Sequence, residues 1–261
     1  MRDYARTAVG SHRTTLPVAR YAETPLSVDT LRSLRYFADI ERATMGHLRN
    51  VLVTATHKDA RVTAFLSTWA YEKYWVADAL ALILERNAHV ELPAARRTSP
   101  IVAFFREAAD RFQPLTRSIT ANFAGEDMVG AHMAIGTIDE WMSQAALARI
   151  AELEPHPDLV AAVDILLAVK RRQLEFFELQ ARDRLATSDR ARTIARRAVR
   201  RSPFPIGSDA EPRRETAFFL TRNLSSAPAL VSELDARVVA LPGLEGLTVI
   251  SKAIAAAGSR S

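Results

Sequence analysis

The sequence predicts an all-α protein built around four long helices. Only nine glycines occur in 261 residues. Apolar residues recur with a 3.6-residue period over stretches of roughly 25 residues, and proline clusters fall mainly between those stretches. Together these features leave little room for strands or tight hairpins.

Residues 1–26 are polar, contain Pro17 and Pro25, and read as an extended lead-in. Ser27 can cap a first helix running to about Ala55, with the ridge Leu34, Phe37, Glu41, Thr44, Leu48. After a turn near His57 to Asp59, a second helix spans about Arg61 to Asn87 with the ridge Leu66, Trp69, Lys73, Val76, Leu80, Ile83. Pro93, Ser99 and Pro100 precede a less regular helix from Ile101 to about Asn122, interrupted around Pro114. The third long helix covers about Glu126 to Leu153 and ends at Pro155 and Pro157, and the fourth covers about Asp158 to Ala186. Their ridges are Met133, Gly136, Glu140, Gln144, Leu147 and Ile165, Val169, Arg172, Phe176, Leu179. Ser188 caps an Arg-rich helix within 187–202, which stops before Pro203 and Pro205. The tail, 203–261, holds two or three short helices broken at Pro228 and at Pro242-Gly243. Residues 27–186 thus predict a four-helix bundle with one longer crossover between the second and third helices, the ferritin-like arrangement, followed by a C-terminal helical appendage.

Composition narrows the chemistry. There is no cysteine, which excludes disulfides, thiolate metal sites and cysteine nucleophiles and suits a reducing, cytoplasmic setting. The first residues show no apolar h-region of a secretory signal, and no run of about 18 apolar residues predicts a membrane span. The net charge of +5 is local: residues 181–201 hold eight Arg against two Asp, which leaves the rest of the chain near −1. Such a segment attracts phosphate. Its short apolar stripe (Leu185, Ile194, Val199) without interleaved aromatics reads instead as a solvated helix paired with acidic neighbours, and no DNA binding is expected.

Each of the four ridges carries one ionisable residue near its middle: Glu41, Lys73, Glu140 and Arg172, with Glu175 one turn beyond Arg172. A lone buried charge costs several kcal/mol, so such groups must pair or neutralise. Two acids and two bases at one level of a bundle can do so.

The segments WAYEKYWVADAL, GAHMAIGTIDEW and LLAVKRRQLEFF resemble helices of the ferritin-like superfamily, in particular desaturase-like di-iron carboxylate proteins of bacteria. The likeness extends weakly through PFPIGSD and LPGLEGL, over about residues 28–257. It implies one Glu from each of two helices and a Glu-x-x-His from each of the other two. Glu41 and Glu140 match the single glutamates. The first Glu-x-x-His falls on Lys73 and Val76 and the second on Arg172 and Glu175, so both histidines and both of their partner acids are replaced. The resemblance therefore implies a degenerate di-iron site, with ion pairs where iron would sit and no cofactor expected.

Several readings stay open. The quartet can be a structural core of salt bridges inherited with the fold, in a partner subunit pairing with itself or with a related ferritin-like protein. It can also line a pocket that binds or transforms a small-molecule ligand without metal, with Lys73 as base or nucleophile, Glu140 or Glu41 as its partner, and Glu72 or Asp78 as a further acid or base. A third reading is an oxidoreductase with residual iron or manganese on Glu41, Glu140 and Glu175. The histidines lie near helix ends or, for His132, two turns from Glu140, and read as structural. No phosphate loop, Walker motif or Ser-His-Asp signature occurs.

Overall fold

The computed structural model describes residues 10–92 and 125–258. Among them there are eight α-helices and no strand: α1 (Val28–Leu52), α2 (Ala60–Arg86), α3 (Asp127–Leu153), α4 (Pro157–Thr187), α5 (Asp189–Val199), α6 (Arg213–Leu220), α7 (Pro228–Val239) and α8 (Val249–Gly258). The expected helix over 101–122 lies outside the described residues.

Capping side chains fix the ends of the long helices. Ser27 Oγ accepts the Thr30 amide of α1, and Asp59 accepts the Val62 amide of α2. His156 Nδ1 accepts the Asp158 amide of α4, with Pro157 at the first helical position. Ser188 both terminates α4 and caps α5, accepting the Ala191 amide.

The same groups orient the helices. At one end Glu154, just past α3, accepts hydrogen bonds from the backbone and hydroxyl of Ser27 at the start of α1. The end of α2 lies there too, because Asn87 Oδ1 accepts the Leu26 amide at 2.9 Å. At the other end Arg184 of α4 pairs with Asp59 before α2, and His132 of α3 meets Thr56 in the α1–α2 turn. Hence α1 runs antiparallel to α2 and α3 antiparallel to α4, while α2 and α3 run parallel. A parallel pair demands a connection as long as the helices themselves, which is where the sequence places its longest link.

Four faces meet in one core. Phe65 of α2 stacks on Phe176 of α4 at 3.8 Å between ring centroids, and Phe177 presents its edge to Phe65 and Trp69. Gly136 lets α3 approach this plug: a Cβ there would sit 2.3 Å from the Phe177 ring. The first three predicted ridges face inward, although Gln144 is only half-buried. The fourth does so only in part: Val169 and Phe176 are buried, while Ile165 and Arg172 are half-buried. Leu179 is exposed, and the inward line of α4 is Val163, Leu166, Lys170, Gln173, Phe177.

The described part of the lead-in, residues 10–26, packs on the helices. Leu16, Tyr21 and Leu26 are buried, and Arg13 bonds Asp78 and Glu85 of α2. Helix α5 lays Ala191, Ala195 and Val199 against the core; of the apolar stripe Leu185 and Val199 are buried and Ile194 is half-buried, and the two alanines add to it. The tail covers α1, where Phe219 of α6 packs on Tyr36 and Phe37 and Arg32 pairs with Glu215 at 2.7 Å. Gly207, at φ +88, brings the loop before α6 against the Ile40 carbonyl, where any side chain would be crowded as well as strained.

Candidate functional site

Midway along the long helices the structure joins one charged residue from each. Glu41 of α1 and Glu140 of α3 face Lys73 of α2 and Lys170 of α4, and all four are buried. Lys73 Nζ lies 3.2 Å from Glu41 Oε1 and 3.1 Å from Glu140 Oε1. Lys170 Nζ lies 2.9 Å from the same Glu41 oxygen and 3.0 Å from Glu140 Oε2. Trp69 donates its indole N–H to Glu140 Oε1 at 3.2 Å. Aromatic rings close the sides: Lys73 Nζ is 5.2 Å from the Trp69 ring and Lys170 Nζ 5.6 Å from that of Phe37.

The fourth member is Lys170 and not the expected Arg172. Arg172 is not in the cluster, because it lies two residues along α4 from Lys170 and so points away from that face. It pairs instead with Glu72, whose other oxygen accepts the Gln173 amide at 3.0 Å. Glu175 is exposed and joins neither group. The run Lys170-Arg171-Arg172 offers three cations, and only helical phase selects among them. Counting back from Phe177 through Gln173 to Lys170 picks the buried one.

Asp139, which lies off the predicted ridge, also reaches Lys73. Its Oδ1 accepts the Ile206 amide at 2.7 Å, anchoring the loop before α6, while Oδ2 lies 3.7 Å from Lys73 Nζ. Next to the more obvious Glu140, it could be suspected only from its position on the same buried turn.

Electrostatics separates the roles. Burial alone would lower the pKa of Lys73, but the charges of Glu140, Glu41 and Asp139 outweigh it and raise it above the ordinary lysine value. Burial would raise Glu140, yet Lys170 and Lys73 bring it down to about 2. For Asp139 burial dominates the Lys73 attraction, and Glu140 adds repulsion, so it rises to about 6. The cluster therefore holds a firm cation at Lys73, a firm anion at Glu140 and, in Asp139, a carboxyl that titrates near pH 6. Two oxygens of the cluster, Glu41 Oε2 and Glu140 Oε2, are buried without a hydrogen bond among the described residues, and of these only Glu140 Oε2 has an ammonium at ion-pair distance, Lys170 at 3.0 Å.

The donor chemistry does not fit a di-iron site. Both ammonium groups lie between the two glutamates that would bridge metal ions, and no imidazole joins them. Among the described residues no three His, Asp or Glu side chains form a metal-binding group. His132 is bonded to Thr56 Oγ1 at 2.8 Å, and burial followed by the charge of His47 pushes it down to about 3. No described helix is long and apolar enough to cross a membrane. No family model, curated protein or solved structure matches the chain.

Proposed function

We propose that this chain is a ferritin-like four-helix bundle whose metal level is closed by the Glu41–Lys73–Glu140–Lys170 cluster, and that it acts without metal as a non-catalytic binding or partner protein. The observation that carries this reading is the placement of two buried ammonium groups between the two bridging-type glutamates. The parallel run of α2 and α3 supports the crossover topology of ferritin-like bundles. In that topology the second Glu-x-x-His would fall on Lys170 and Gln173 rather than on Arg172 and Glu175. Two cations supply the positive charge that metal would bring to Glu41 and Glu140, and a lysine with a raised pKa is a poor base or nucleophile near neutral pH.

Metal analysis of the full chain, purified after growth in medium supplemented with iron and manganese, tests the proposal. Metal well below one ion per chain is expected. Two ions per chain, retained through gel filtration, would overturn it.

A second reading, metal-free acid–base chemistry on a small molecule at the cluster, is favoured by the unpartnered Glu41 Oε2. Its test is a small-molecule thermal-shift screen of the wild type and Lys73→Arg. A ligand that raises the melting temperature of the first and not of the second, with both folded, would support it. The absence of any such ligand speaks for the non-catalytic reading.

A further inference from the structure

Apart from the buried cluster, α5, α8 and the loop before α6 line two adjoining concavities. The wider, about 1000 Å³, is lined by aliphatic residues, Val199, Leu247, Val249 and Ala253 among them, and by polar ones that include Asp209, Glu211 and Arg213. The narrower, about 400 Å³, is lined by Thr193 and five cations: Arg196, Arg197, Arg200, Arg201 and Lys252. Arg200 and Lys252 line both, so the basic recess opens directly onto the apolar one.

The basic recess is not internally neutralised. Arg196 bonds the Gly243 and Glu245 carbonyls. Arg197, Arg200, Arg201 and Lys252 have no carboxylate within 4 Å among the described residues. This contrasts with Arg184, Arg190 and Arg192, which pair with Asp59, Asp127 and Asp189. The expected acidic pairing thus holds for the first half of the Arg-rich segment and fails for the second. Asp209 and Glu211 line the wider cavity and not the basic recess, so the cationic end stays distinct.

From this juxtaposition we infer that the protein binds a monomeric phosphorylated aliphatic compound, its phosphate in the Arg197–Arg200–Arg201–Lys252 recess and its chain along the aliphatic cavity. Guanidinium groups pair with phosphate oxygens in a bidentate fashion, and clustered Arg is suited to a dianionic head. The aliphatic residues favour an alkyl or prenyl chain over a nucleobase, because among the described residues the one aromatic ring lining the cavity, Phe204, is itself buried. A volume of this order accommodates a small-molecule ligand. The site shares no residue with the buried cluster, so its test is independent of the metal question.

The probe is dodecyl phosphate, titrated calorimetrically into the full-length protein below its aggregation concentration. Saturable one-to-one binding is expected, weakened by added salt. Inorganic phosphate should bind at least tenfold more weakly, and dodecyltrimethylammonium should not bind. Arg200→Glu with Lys252→Glu should cut dodecyl phosphate affinity at least tenfold; both side chains are exposed, and thermal melts check that the fold persists. Ala253→Phe, which fills the apolar cavity, should weaken dodecyl phosphate and leave inorganic phosphate unchanged. Equal binding of dodecanol, no loss on charge reversal, or binding only to phosphatidylglycerol vesicles and not to the monomer would each overturn the inference.

Discussion

Lys170 and Glu41, on α4 and α1, meet at 2.9 Å with neither side chain reaching solvent. The same Glu41 oxygen also faces Lys73 at 3.2 Å. One carboxylate oxygen therefore ties together three of the four long helices, and Glu140 completes the ring from the fourth. Removing any member strands the others in a dry core.

Lys73→Met is accordingly expected to cost about 3–5 kcal/mol, the usual penalty for breaking a buried pair from one side. Lys73→Met combined with Glu41→Gln removes one charge of each sign and should recover more than half of that loss. Chemical denaturation of the two single variants and the double variant measures the coupling. Additive effects would show that the two residues do not share a buried environment.

Lys170→Met is expected to be about as costly as Lys73→Met. Arg172→Met should cost less, because Arg172 is partly exposed and Gln173 still donates to Glu72. Comparing denaturation midpoints of the two variants distinguishes the residues; a larger loss at Arg172 would restore it to the centre of the cluster.

Gly136→Ala places a methyl group inside the Phe177 ring. Overpacking of this kind costs about 1–3 kcal/mol or more. Adding Phe177→Leu should relieve part of the clash, so the double variant should melt above Gly136→Ala alone.

Asp139 gives the protein a pH signature. Its pKa is about 6 folded, against 3.8 ordinarily, so its contribution to stability is fully present below pH 4 and is lost as pH rises through 6. Glu140 has the opposite sign: its pKa of about 2 folded, against 4.5 ordinarily, makes its contribution present above pH 4.5 and lost as pH falls toward 2. Asp139→Asn should flatten the fall in stability between pH 4 and 6 and leave the acid limb near pH 2–4 in place. Urea titrations at closely spaced pH values read this directly.

Much of this architecture is written locally. Ser27, Asp59, Pro157 and Ser188 sit where a helix must start, and the described long helices begin within a residue or two of the positions that capping and periodicity mark. The inward placement of Glu41, Lys73 and Glu140 also follows from periodicity, because apolar neighbours at i±3 and i±4 leave them no other direction.

What the sequence did not determine is what depends on rotation and contact between helices. Helix α4 carries two overlapping apolar lines, and the choice between Lys170 and Arg172 turns on about 200° of helical rotation, which only packing of Phe177 against Gly136 and Trp69 decides. The lead-in reads as polar because its few apolar residues have no period, yet Tyr21 and Leu26 are buried through contacts with chain more than 60 residues away. Likewise, the meeting of Arg200 with Lys252 arises from folding of the tail. Local sequence determined where helices begin and which face carries charge; the tertiary structure decided which charges meet, because burial and Coulomb attraction act through space between segments that no sequence period connects.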